Sequence, residues 1–209
     1  MASIHDLTPG TWNVDASHSR VGFVARHLMI AKTRGHFNTF SAVITVPEDR
    51  LSTTLEASVD LTSVDTADAN RDGHLKSGDF FEVEKYPTLS FKSSKVYAEG
   101  GKTSLAQGDK FKIDGDLTIK ATTKPVTLDA VYLGSGSVGI GGNAMGTVAG
   151  FEATTKINRK DYGILWNRTL DQGGTMLGDD VEITLSVEAK TPRPAPPAAP
   201  AAAPAGDKK

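Results

Sequence analysis

Asn70, Arg71 and His74 stand four and three residues apart, so a helix through them gathers an amide, a guanidinium and an imidazole on one side. Such a group can donate hydrogen bonds to an oxygen-bearing ligand, and with Asp72 beside it His74 could also exchange a proton. An ordinary reading is equally open, with Arg71 and Asp72 on a solvated helix surface and His74 a hydrogen-bonded packing residue. A second cluster combines cations and aromatics, Arg159-Lys160-Asp161-Tyr162-Gly163 followed by Trp166-Asn167-Arg168. It reads either as a loop at the mouth of a barrel or as a polar turn. His18, His27, His36 and His74 show none of the i, i+2 or i, i+4 spacings that aim two imidazoles at one ion, so no metal is expected. There is no cysteine and no G-x-S-x-G elbow, hence no marked nucleophile, and no catalytic residue is assigned.

The elements that would position these groups are mostly strands. Residues 66–78 are the best helix candidate, with Thr66 or Asp68 as N-cap and Gly78 placed for a left-handed stop. Gly73 within it costs about 1 kcal/mol relative to alanine, so packing has to hold the helix. Elsewhere apolar and polar residues alternate. Phe111, Ile113, Gly115, Leu117 and Ile119 oppose Lys112, Asp114, Asp116, Thr118 and Lys120, and the pattern recurs around Ala57, Leu128, Ala153 and Ile183. Residues 20–30 put Val21, Phe23, Ala25 and His27 on one face, and residues 35–46 continue with Phe37 and Phe40 on opposite sides. About eight half-apolar strands with one mid-chain helix cannot cover an open sheet, so they must close on themselves or stack in pairs, and an antiparallel up-and-down β-barrel, which removes the sheet edges, is the expected fold. Small inward residues, Gly115, Ala57, Ala130 and Ala153, leave less side chain to fill the middle, which suits a cavity but also a filled barrel in which small and large residues alternate.

The 209 residues are enough for one full core, and a net charge of −2 gives no reason to expect nucleic acid. The first ten residues lack the basic and apolar regions of a signal peptide, and no stretch approaches the roughly 20 apolar residues of a membrane span, so a cytoplasmic location is expected. Residues 1–10 read as an extension, 11–190 as the barrel, and 191–209, with six of the ten prolines, as a disordered Pro/Ala-rich tail. Gly134-Ser135-Gly136-Ser137-Val138-Gly139 matches the dinucleotide-binding string, but no amphipathic helix follows it. Residues 134–150 read instead as a long flexible hairpin loop. Gly101-Lys102-Thr103 resembles the end of a Walker A loop, with Val96 where the first glycine belongs, and is likewise rejected.

Several stretches in series resemble the YceI family of lipocalin-like polyisoprenoid-binding proteins. They are Asp15-Ala16-Ser17-His18-Ser19 with Phe23 and His27, Gly35-His36-Phe37-Asn38-Thr39-Phe40, and Ser63-Val64-Asp65-Thr66. Arg71-Asp72-Gly73-His74-Leu75-Lys76-Ser77-Gly78-Asp79-Phe80-Phe81 follows, then Tyr86-Pro87 with Phe91, Gly115-Asp116-Leu117-Thr118-Ile119-Lys120, and Asn158-Arg159-Lys160-Asp161-Tyr162-Gly163. The likeness implies an extended, lipocalin-like barrel, usually a homodimer, that binds an isoprenoid lipid without catalysis. The ligand would be a polyprenyl diphosphate or an isoprenoid quinone. Broader sequestration of amphiphiles or hydrophobic antibiotics is the alternative, and a lipid-modifying enzyme using His74 is a third.

On that resemblance Phe23, Phe37, Phe80, Phe81, Leu89, Phe91, Leu117, Ile119 and Leu128 are the candidates for an apolar pocket, because an isoprenoid chain needs uncharged walls. Arg71, His74, Asn70, His18, Arg20 and Arg159 are the candidates for the head group, with Arg71 and His74 first. No cofactor beyond the bound isoprenoid lipid is expected.

Overall fold

The computed structural model describes residues 7–49, 52–98, 100, 105–140, 143–171 and 173–192. Extension residues 1–6, the Walker-like string at 101–103 and the Pro/Ala tail from 193 lie outside them. The elements in chain order are β1 (Gly10–Val14), β2 (Arg20–His27), β3 (Ala31–Phe37), β4 (Phe40–Val46), β5 (Thr54–Asp60) and β6 (Val64–Asp65). Then come α1 (Ala69–Lys76), β7 (Thr88–Ala98), β8 (Lys110–Ile119), β9 (Thr122–Ile140), β10 (Asn143–Asn158) and β11 (Leu177–Lys190).

All pairings are antiparallel. The ring runs β1-β4-β5-β7-β8-β9-β10-β11 and returns to β1, which makes the expected closed barrel of eight strands. The alternation in β8 is kept in three dimensions: Phe111, Ile113, Gly115, Leu117 and Ile119 are buried and the residues between them are not. Strand β11 changes partner along its length. It pairs with β2 from Leu177↔His27 to Ser186↔Arg20 and with β1 at Ala189↔Val14 and Lys190↔Asn13. Past that point β2, β3 and β6 carry the wall beyond the closed ring.

Three local expectations are corrected. Residues 134–150 are not a long loop: β9 and β10 pair through them, from Gly150↔Gly134 to Asn143↔Ile140. Glycine and serine hid the strands by removing the alternation, while Gly134 and Gly146, both at φ +111°, accept a backbone conformation that side chains resist next to the register shifts. Residues 35–46 are not one strand. The chain breaks at Asn38 and Thr39, whose N–H groups donate to the Ser63 carbonyl and hydroxyl at 3.1 and 3.0 Å, and the break turns both Phe37 and Phe40 to the interior. The helix starts on Asp68, whose carboxylate accepts from the N–H groups of Asn70 and Arg71, but it ends on extended Ser77 rather than on a left-handed Gly78.

One end of the barrel is packed shut. Trp12 is fully buried there and donates its Nε1–H to the Thr8 carbonyl at 3.0 Å, with Leu7, Leu105, Tyr132, Ala149 and Ala189 in the same core. Gly115 sits higher, and its missing side chain does not leave empty space. A Cβ there would lie 2.5 Å from both the Lys92 carbonyl and the Phe91 ring, so the ring occupies the room.

At the seam where β11 changes partner, Asp15 accepts from Lys190 Nζ at 2.6 Å and from the Ser17 hydroxyl and N–H at 2.6 and 3.0 Å. The Lys190 ammonium first, then Ser17 and His18, hold this carboxyl far below the usual range. A depressed carboxylate stabilises the fold above its unfolded value of about 3.9 and loses that contribution as pH falls toward its folded value. Asp15→Asn is therefore expected to lower the urea midpoint near neutrality and to flatten the acid limb below about pH 4, so that variant and wild type converge at low pH. An unchanged acid limb would remove Asp15 from the seam's account. No helix among the described residues is long and apolar enough to cross a membrane.

Candidate functional site

Two cavities lie end to end along the barrel. The inner one has a volume of about 170 Å³ and no charged residue in its lining. Leu7 and Leu105 close its far end, Phe91, Phe111, Leu117 and Leu128 form its sides, and Ser41, Thr53, Ser90 and Thr155 are its polar exceptions. The outer one, about 430 Å³, is enclosed by β2 and β3, by α1 and by residues 164–177. Leu89 and Ile183 border both. The outer volume falls in the lower part of the range of about 300–1,000 Å³ typical of ligand sites, and the inner one lies below it.

All nine predicted apolar residues line one cavity or the other. Leu89, Phe91, Leu117 and Leu128 line the inner one, and Phe23, Phe37, Phe80, Phe81, Leu89 and Ile119 the outer one. Four of the six predicted polar residues, Asn70, Arg71, His74 and Arg159, come together at the outer cavity. His18 and Arg20 do not line it. His18 lies at the seam, 3.2 Å from Asp15 and 3.6 Å from Glu188. The three offer ligand atoms within 4.8 Å of one another, but Lys190 already occupies the Asp15 carboxylate. Ser17 and Asp15 both meet the same nitrogen of His18, Nδ1, so no proton relay forms.

Within the outer site each polar group has a distinct surrounding. Arg71 donates from Nε to the Thr66 hydroxyl and from Nη2 to the Thr66 carbonyl, both at 2.7 Å, which leaves Nη1 4.0 Å from Asp68. Asp72 fixes the other side of Thr66, accepting from its N–H and hydroxyl at 2.9 and 2.6 Å. His74 Nε2 is 2.8 Å from Asp79, and its ring meets Phe80 and Trp166 edge-on at 5.0 and 4.8 Å between centroids. If Nε2 carries the proton toward Asp79, neutral His74 keeps Nδ1 as an acceptor.

Arg159 is different in kind. Its side chain is 3 % exposed, and its donors reach Gly178, Ile164 and Trp166 carbonyls at 3.0, 2.7 and 2.8 Å and the Asp179 carboxylate at 3.1 Å. Burial draws its pKa down from the ordinary arginine value, against the pull of Asp179. Lys160 first, then Arg159, keeps Asp179 below the usual carboxylate range. The guanidinium thus ties Ile164, Trp166, Gly178 and Asp179 together, and with them a strap across the mouth, residues 164–171 and 173–178. Trp166, half-buried in that strap, is a wall residue that spacing alone did not assign, although the cluster around it marked the segment.

The family model for the YceI-like domain matches residues 12–189. The chain belongs to the YceI-like family. A UPF0312 protein of Staphylococcus aureus is 35% identical over 176 residues, 83% of this chain and 94% of the relative. The YceI protein of Campylobacter jejuni is 29% identical with a TM-score of 0.63, covering 80% of this chain and 90% of that one. Below 25% identity the likeness is one of fold. BcnA of Burkholderia cenocepacia has TM-score 0.69 at 23% identity over 85% of this chain and 99% of that one. A polyisoprenoid binding domain from Saccharophagus degradans has TM-score 0.61 at 17% identity, over 87% and 98%.

Proposed function

We propose that this YceI-like chain binds and carries an isoprenoid lipid without modifying it, with the apolar chain in the inner cavity and the head group between α1 and the strap. The observation that carries this is the adjacency of two cavities, an inner one with no charged lining residue and an outer one with polar groups at the mouth, which share Leu89 and Ile183 as a border. An amphiphile with a long apolar tail is the ligand that matches both. The polyisoprenoid binding named for the Saccharophagus degradans domain supports the isoprenoid class.

The mouth favours an uncharged oxygen head, such as a quinone, over a diphosphate. Arg159 is committed to the strap, which leaves Arg71 as the available cation among the lining residues. Around it stand Asp68 at 4.0 Å, Asp72 on the Thr66 that holds it, and Asp79 on His74. Three carboxylates would repel a diphosphate, whereas a quinone oxygen needs only a donor from Arg71 or Asn70.

Mass spectrometry of the organic extract of protein purified without detergent from its native host tests both parts. A stoichiometric isoprenoid quinone is expected, with Arg71→Gln weakening its binding about five- to tenfold, the worth of one hydrogen bond. A polyprenyl diphosphate would refute the head-group assignment. An empty or mixed extract would refute the carrier reading and turn weight to broad capture of amphiphiles.

A further inference from the structure

The hairpin joining β2 to β3 ends in Leu28-Met29-Ile30 at the rim of the outer cavity, one residue beyond the lining residue His27. All three side chains face solvent, Met29 at 56% and Ile30 at 86% exposure. Leu28 and Met29 also have positive φ, +53° and +58°, in a turn closed by the Ile30 N–H on the His27 carbonyl at 3.1 Å. Asn-Gly is the favoured pair for that conformation, because a larger side chain is strained there. Neither solubility nor local stability explains large apolar residues at such a tip.

The tip is held rather than loose. The Leu28 N–H donates to the Met176 carbonyl at 2.7 Å, which fixes it to the strap, and the strap exposes Leu165 to 66%. The hairpin side of the mouth is basic, whereas the carboxylates Asp68, Asp72 and Asp79 stand on its α1 side. Residues 20–47 contain Arg20, Arg26, Lys32 and Arg34 and no carboxylate, although the whole chain has a net charge of −2. The β11 segment beside the hairpin carries Asp179, Asp180 and Glu182, each met by a lysine, Lys160 at 2.8 Å, Lys156 at 2.5 Å and Lys32 at 3.8 Å, which leaves Arg26 and Arg34 of the hairpin as the exposed cations. Apolar side chains set between cations are the chemistry that enters an anionic bilayer surface, the former among the acyl chains and the latter at the head groups.

We propose that the Leu28-Met29-Ile30 tip docks the mouth of the barrel onto an anionic phospholipid membrane. Docking there places the outer cavity against the bilayer, so a lipid passes between them without crossing water. Its purpose rests on the carrier reading, but its test does not.

The full-length protein is sedimented with vesicles of phosphatidylglycerol and phosphatidylcholine, and with phosphatidylcholine alone. Binding is expected to the anionic vesicles, weakening as salt rises, and Ile30→Asp should lower it at least about tenfold. Arg34→Gln should lower it about fivefold. The double variant Leu28→Asn, Met29→Gly carries the decisive readout, because relief of the left-handed strain raises its melting temperature while its vesicle binding falls. A merely structural tip would not move the two in opposite directions. Wild-type protein that fails to sediment with anionic vesicles, or variants that bind as well as wild type, would overturn the proposal. So would a tip whose substitution only turns a dimer into monomers. Vesicle binding by a protein whose organic extract is empty would leave the docking standing and sink the carrier reading.

Discussion

If the chain carries an isoprenoid lipid as proposed, Ala57→Trp is expected to empty the barrel of it while leaving the barrel folded. Ala57 sits mid-strand on β5, between Ala42 of β4 and Phe91 of β7, with its side chain on the inner cavity. An indole placed there fills space that the isoprenoid chain would otherwise use. Displacing about five methylenes at roughly 0.8 kcal/mol each removes about 4 kcal/mol, close to a thousandfold in affinity. Overpacking costs about 1–3 kcal/mol where the space is already filled, and less where a cavity receives the ring. The neighbouring Glu56 points outward and pairs with Lys92 at 2.8 Å, so Glu56→Trp is the matched control that keeps the lipid. The lipid-to-protein ratio in organic extracts of the two variants decides the matter. Retention by folded Ala57→Trp would place the chain outside the inner cavity.

Arg159→Met should be the most destabilising single change at the mouth. Methionine keeps much of the stem but none of the donors, so three carbonyls of the strap and the Asp179 carboxylate lose their shared partner. Each strap carbonyl left buried without its donor costs about 1–3 kcal/mol, whereas Asp179, 40% exposed, keeps Lys160 at 2.8 Å. The loss appears as a lower urea midpoint and as greater solvent exposure of Trp166 in fluorescence. Arg159→Lys should not rescue it, because one ammonium cannot reach carbonyls arranged around a planar fork. A loss below about 1 kcal/mol would mean that the strap is held by Asn167, which bonds to both the carbonyl and the N–H of Leu177 at 2.7 and 3.0 Å.

What could be read from the amino acids follows from how local each signal is. The alternation through β8 names its own buried face, and Asp68 caps the two amides nearest to it in sequence. Both survive into the structure because neither needs a distant partner. The outer part of the β9–β10 hairpin, residues 134–150, was illegible because its glycines and serines carry no period; pairing between the two strands supplies the order. Phe37 and Phe40 share the interior only because Ser63, far along the chain, bends the backbone between them. The polar residues divide the same way. Asn70, Arg71 and His74 share one helix, so their convergence follows from spacing, whereas His18 and Arg20 were candidates by type and family resemblance and the strand order carries them elsewhere. Arg159 was legible as a residue of the mouth but not as its clamp, since its partners are spread from Ile164 to Asp179.

Leu89 and Ile183 border both cavities, and that shared border has a kinetic meaning. A chain that has threaded past them has to withdraw its whole buried length through the same neck before it is free. Escape is then governed by a barrier at the neck, while capture is governed by encounter at the mouth. On the proposed carrier function, a cargo of modest equilibrium affinity would therefore have a long residence time. Side-chain size at positions 89 and 183 becomes a timer on release, separate from the chemistry that chooses the head group.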